Sequence, residues 1–117
     1  MSTTGRQIAA VAVLALGCSA TPLAVPPSGP HIDEEPVVVP YPPPPARVEI
    51  IPAPPARLTD PVWIDGEWEW HARRWVWNGG HWEAARPNTY RAPPTTVALS
   101  DGTLAYFPGA WHAAAAK

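Results

Sequence analysis

Hydrophobicity changes rhythm along the chain. Ile8 to Leu16 is apolar without interruption, and from Pro22 to Pro61 proline breaks up every apolar run. From Pro61 onward apolar and polar residues alternate with a period of two, the pattern of a half-exposed β-strand. This alternation predicts strands near 61–64, 67–71, 74–78 and 81–85. Asp65-Gly66 and Gly79-Gly80 between them read as type I′ turns, whose twist matches that of the strands they join. Ala72-Arg73 is a chemically poorer loop, because neither residue takes positive φ easily. A second alternating stretch follows Arg86-Pro87-Asn88 and Pro93-Pro94. There Asp101-Gly102 signals a further type I′ turn that sets Leu99 against Leu104 and Val97 against Tyr106. The predicted fold is small and all-β: an antiparallel meander of short hairpins, or two small stacked sheets, after a disordered Pro-rich tether.

The aromatic residues are regularly spaced. Trp63-Ile-Asp-Gly66-Glu-Trp68 and Trp77-Asn-Gly-Gly80-His-Trp82 share the pattern W-x-x-G-x-W, 14 residues apart, and Tyr106-Phe-Pro-Gly109-Ala-Trp111 repeats it with Tyr in first place. These copies resemble the YXWGXW (or WXXGXW) repeat proteins, small secreted or lipid-anchored bacterial proteins. The resemblance spans residues 61–112 and departs from the familiar pattern in lacking Pro before the repeat Gly, except at Pro108-Gly109. It implies an envelope location and brings no established activity with it. Read as hairpins, the copies turn at Gly66, Gly80 and Gly109. They pair Trp63 with Trp68, Trp77 with Trp82 and Tyr106 with Trp111, while Trp70 pairs with Trp75. Trp63, Trp68, Trp70, Trp75, Trp77 and Trp82 then share one face, an aromatic binding surface whose edge pair, Trp63 and Trp82, should stay partly exposed. The opposite face, from Val62 to Glu83, is mostly polar.

The N-terminus reads as an address. Residues 1–17 form a signal peptide: the nine-residue apolar run is far short of the roughly 20 residues of a membrane-spanning helix. Leu14-Ala15-Leu16-Gly17-Cys18 resembles the lipobox of bacterial lipoproteins, which implies cleavage before Cys18 and lipid attachment to it. Ser19, where Asp would resemble a retention signal, favours the outer membrane. Residues 18–60 are then a lipid-anchored Pro-rich tether, 61–113 the Trp-rich β-hairpin repeat domain and 114–117 a tail. Fourteen of the 18 prolines lie between Pro22 and Pro61 and favour extended polyproline II, a spacer reaching on the order of 100 Å. Within the tether Val37-Val38-Val39 and Val48-Glu49-Ile50-Ile51 read as spacer, with pairing as edge strands the alternative, and Asp33-Glu34-Glu35 as a solvated acidic patch. Pro-rich segments also serve as ligands for aromatic-lined grooves.

Composition narrows the function. Eight Lys+Arg against ten Asp+Glu leave a formal charge of −2, so no excess of basic residues exists to neutralise a phosphate backbone, and no nucleic-acid partner is expected. One cysteine makes neither an intrachain disulfide nor a Cys-rich zinc cage. His31, His71, His81 and His112 show no ligand spacing, so neither a metal nor a cofactor is expected. In the hairpin register Glu69 and Glu83 share a row two strands apart, about 9.5 Å, a separation suited to inverting glycoside hydrolysis. The expectation is nonetheless a non-catalytic envelope module. It is anchored in the membrane through Cys18 and presents its tryptophans to an envelope protein, to another copy of itself or to peptidoglycan glycan. The alternative is a small envelope enzyme using Glu69, Glu83 or the histidines.

Overall fold

The computed structural model describes residues 22–115; the expected signal peptide, the expected lipidation site Cys18 and residues 116–117 lie outside it. The described chain is all-β, with nine short strands in small antiparallel sheets. They are β1 (Val37–Val39), β2 (Pro61–Ile64), β3 (Glu67–His71), β4 (Arg74–Asn78), β5 (His81–Ala84), β6 (Thr89–Ala92), β7 (Thr95–Ala98), β8 (Leu104–Phe107) and β9 (Ala110–Ala113). Strands β2 to β5 occupy the stretches that alternation predicts, ending one residue early at Ala84.

The pairing differs from a chain of hairpins. Strand β3 pairs with β4, but β2 pairs with β5, so Asp65-Gly66 and Gly79-Gly80 do not turn the chain back on itself. Ile64 faces His81 and Glu67 faces Asn78; two residues are skipped on each side, and the register is continuous from Pro61↔Ala84 to His71↔Arg74. The stretch is thus one long two-stranded ribbon with a break in its middle. Its only reversal is Ala72-Arg73, where both residues take positive φ (50° and 64°), the type I′ geometry at the loop with the weakest turn chemistry. Local turn preference at the glycines loses to pairing between the two W-x-x-G-x-W copies, which lie antiparallel to each other.

A second ribbon repeats the plan. Strand β6 pairs with β9 and β7 with β8 in one register, broken where Pro93-Pro94 and Pro108 supply no backbone donor. Pro108-Gly109 is therefore not a hairpin turn either, and Tyr106 lies opposite Thr96 rather than Trp111. Its reversal uses a three-residue loop, Ser100-Asp101-Gly102. Leu99 N–H donates to Thr103 O at 2.8 Å, and Gly102 adopts a φ of 86° after donating to Leu99 O. That extra residue shifts the expected pairing by one: Ala98 faces Leu104 and Val97 faces Ala105.

The Pro-rich segment is not a free spacer. Its Val37–Val39 run is strand β1, paired with β8 to make a three-stranded sheet, and Val39 is part of the core. Farther upstream, Ala24 O accepts from Trp63 N–H at 2.8 Å and Pro27 O from Arg91 N–H at 2.7 Å, so residues 24–28 strap the two ribbons together. The core comprises Val39, Val62, Trp63, Ile64, Ala92, Ala105 and Tyr106, drawn from the Pro-rich segment and both ribbons.

Candidate functional site

The first ribbon carries its tryptophans as cross-strand pairs set by its register: Trp63 with Trp82, Trp68 with Trp77 and Trp70 with Trp75. Ring centroids lie 5.1–5.4 Å apart at 67°, edge-to-face in every pair, the favoured arrangement of aromatic quadrupoles. Trp70–Trp75 and Trp68–Trp77 match the expected pairing of 67–71 with 74–78 across Ala72-Arg73; Trp63–Trp82 replaces the expected Trp63–Trp68 and Trp77–Trp82 pairs.

The repeat glycines have a role other than turning. None of Gly66, Gly80 and Gly109 has positive φ. A Cβ on Gly66 would lie 2.4 Å from Cζ2 of Trp77, and one on Gly80 would lie 2.3 Å from Cζ2 of Trp63. Each copy's first Trp therefore rests in the other copy's glycine. The break around these glycines also re-phases the ribbon. Trp63 and Trp68, positions one and six of the motif, have opposite parity in a strand, yet Trp68 and Trp82, which is paired with Trp63, reach the same neighbouring segment, as does Trp75.

That neighbour is the Pro-rich arm, residues 41–52. Indole N–H groups donate to its backbone carbonyls: Trp75 to Tyr41 O at 3.3 Å, Trp68 to Pro45 O at 3.1 Å and Trp82 to Pro52 O at 2.8 Å. The Tyr41 ring meets Trp70 edge-on at 5.4 Å, and the Arg47 guanidinium lies 4.9 Å from the Trp68 ring and 5.9 Å from Trp77. Glu49 accepts from Gly80 N–H at 2.9 Å. The aromatic face, expected to stay partly exposed at its edge pair, is accordingly roofed by the Pro-rich arm of the chain itself. Trp63, expected at an exposed edge, is only 4% exposed, and the other five Trp of this ribbon are half-buried. The second ribbon covers them only in part, through the Tyr106 ring 4.8 Å from Trp75 and the Tyr106 hydroxyl, which donates to Trp68 O.

The face expected to be polar is buried at one end, where Val62, Ile64 and Glu67 are in the interior. Glu67 joins the ribbons by accepting from Gly109 N–H and lying 3.9 Å from Arg91. Burial pushes its carboxyl above the usual carboxylate range, and Arg91 offsets only part of that. Burial, with Glu67 and Glu69 nearby, also raises the Tyr106 phenol, so the hydroxyl stays a proton donor.

The observed register separates the carboxylates considered for catalysis. Glu69 faces Val76 and Glu83 faces Val62, seven positions away along the ribbon, or about 23 Å at 3.3 Å per residue. Each pairs instead with a nearby exposed histidine, Glu69 with His71 at 2.8 Å and Glu83 with His81 at 3.1 Å. His31 and His112, far apart in sequence, converge on Glu34, which is therefore not a solvated acid. Sequence reasoning missed Tyr41, Arg47 and Glu49 as groove residues; the signal available was one chain holding both a Pro-rich segment and a Trp-rich surface. No protein-family model matches the chain, and comparison with curated proteins and with solved structures finds no match.

Proposed function

We propose that the chain is a non-catalytic cell-envelope module, lipid-anchored at Cys18, whose Trp-lined ribbon binds extended Pro-rich polypeptide. One observation carries the reading: three indole N–H groups in a row hold backbone carbonyls of one extended Pro-rich arm. Proline-rich segments suit such a groove because their carbonyls are free, their conformation is preformed and little entropy is lost on docking. In the described structure the arm is the occupant. It is a replaceable one, since the side chains of Val48 and Ile50 point wholly into solvent and bury nothing on the ribbon. An envelope protein with a similar segment, or the arm of another copy, is the partner this chemistry fits. Glycan stacking is the weaker reading, because indole edges meet indole faces and Arg47 and Tyr41 occupy further ring surface.

The test uses a fluorescent peptide matching residues 40–52 and the full chain with its own arm loosened by Arg47→Ala and Glu49→Ala. The peptide should bind the loosened chain more tightly than the wild type, and adding Trp82→Phe, which removes one N–H donor, should weaken that binding. A loosened chain that leaves the peptide unbound defeats the proposal.

A further inference from the structure

Away from the groove, three side chains with metal-binding atoms meet at the junction of the Pro-rich segment and the last strand. His31 Nδ1 and His112 Nε2 both approach the same oxygen, Oε2 of Glu34, the latter at 3.0 Å, and one ligand atom from each residue lies within 4.8 Å of the others. The site is assembled by folding, since His112 on β9 is 78 residues from Glu34. Asp33, at a φ of 54°, bends the chain so that His31 and Glu34 face the same way. The side chains are sheltered, with 12% of His31, 19% of Glu34 and 19% of His112 exposed. Tyr90 stacks on His112 at 5.4 Å, and Phe107 packs on His31 at 5.3 Å, fixing both ring planes.

The hydrogen-bonding roles point to a cation. His31 Nε2 lies 2.5 Å from Pro93 O, an acceptor only, so that nitrogen carries the ring proton. In this tautomer the Nδ1 lone pair faces a carboxylate oxygen, and His112 Nε2 faces the same oxygen. His112 Nε2 can meet that oxygen as a neutral N–H donor, so the contact without a donor is the one at His31 Nδ1. One divalent ion would sit between that lone pair and the carboxylate and would take the His112 lone pair as well. The backbone carbonyl on the far nitrogen of His31 is the outer partner that metal-binding histidines usually have.

We propose that His31, Glu34 and His112 form a site for a zinc-class divalent ion, which clasps the Pro-rich segment to β9. Two imidazoles and one carboxylate suit zinc, with water completing the tetrahedron. Tetrahedral ligand atoms at about 2.1 Å from zinc lie about 3.4 Å from one another, so Glu34 Oε2 must draw back from both ring nitrogens to admit the ion.

The full chain, purified in detergent and stripped with a chelator, is titrated calorimetrically with Zn²⁺. One ion per chain should bind, and His31→Gln, Glu34→Gln and His112→Gln should each weaken binding by more than the roughly 10–100-fold cost of losing an outer-shell partner. His71→Gln and His81→Gln should leave it unchanged. Because a site variant could lose its fold, Co²⁺ is added to the wild type as a second measurement. A low-coordinate N₂O site gives intense visible absorption, displaced by Zn²⁺. Absence of the Co²⁺ absorption, or Zn²⁺ binding that survives all three site substitutions, overturns the proposal.

Discussion

Gly80→Ala tests the part assigned to the repeat glycines. The added Cβ would sit 2.3 Å from Trp63 Cζ2 and 3.0 Å from Ile64 O. Neither neighbour yields cheaply. Ile64 O is backbone, and the Trp63 ring is 4% exposed, packed against Trp82 and tied to Asp65 Oδ1 by a 2.9 Å hydrogen bond. Overpacking of this kind costs about 1–3 kcal/mol, and disturbing the Trp63–Trp82 pair adds up to about 1.5 kcal/mol. Set against this is a gain of about 0.4–1 kcal/mol, because alanine restricts the unfolded chain more than glycine does. The net loss, about 2 kcal/mol and at most about 4, corresponds to a fall in Tm on the order of 10 °C for a domain of this size. Gly79→Ala is the matched control. Its Cβ meets only the tip of Glu49, at 3.2 Å, and a carboxylate can move aside. That variant should be as stable as the wild type or slightly more so. Thermal unfolding followed by near-ultraviolet circular dichroism, which sees the coupled indoles, distinguishes the two. If Gly79-Gly80 were a type I′ turn, both substitutions would be penalised for positive φ. Equal destabilisation, or a silent Gly80→Ala, refutes the ring-in-glycine account.

The other predictions concern separate places in the chain. Replacing Ala72-Arg73 by Asn-Gly should stabilise by about 1–2 kcal/mol, since both residues now hold a left-handed conformation that L side chains resist; urea unfolding midpoints measure this. Glu67 has a raised carboxyl pKa in the fold, so its contribution is full below the ordinary carboxylate range and is lost as pH rises through the raised value. Glu67→Gln should therefore flatten the decline in stability just above pH 4.5, and stability–pH slopes matching the wild type would refute this. Labelling cells with a fatty-acid analogue should tag the wild-type chain and leave Cys18→Ala untagged.

Strand positions were legible because period-two alternation is a local property, and β2 to β5 carry it strongly. Partner choice was legible only in part: β3 pairs with β4 and β7 with β8 as the loops between them imply, but β2 and β5 pair with each other. Asp65-Gly66 and Gly79-Gly80 have better turn chemistry than Ala72-Arg73, yet the chain reverses at Ala72-Arg73, where one reversal lets two whole copies of the repeat pair. The extra loop residue at Ser100-Asp101-Gly102 was hidden for a related reason, since Asp-Gly serves two-residue and three-residue loops alike. The six tryptophans of the aromatic surface were visible from spacing. Their roof was not, because polyproline II has no internal pairing and no sequence period that reveals what it lies on. His31, Glu34 and His112 were invisible as a set, since only the completed fold brings them together.

The exchange of rings between Gly66 and Gly80 makes the six-residue motif self-complementary, the intramolecular counterpart of an isologous contact. Such a unit works in even numbers: one copy alone has a ring with nowhere to go and a glycine with nothing above it. This chain has an odd copy, and its solution is chemical. The space above Gly109 is filled by the carboxylate of Glu67 and the guanidinium of Arg91, so an ion pair between ribbons stands where a second aromatic ring would otherwise lie. Adding a fourth copy opposite the third would make that ion pair redundant. Removing the second copy would instead leave Trp63 and Gly66 unmatched, the two halves of a homodimer contact.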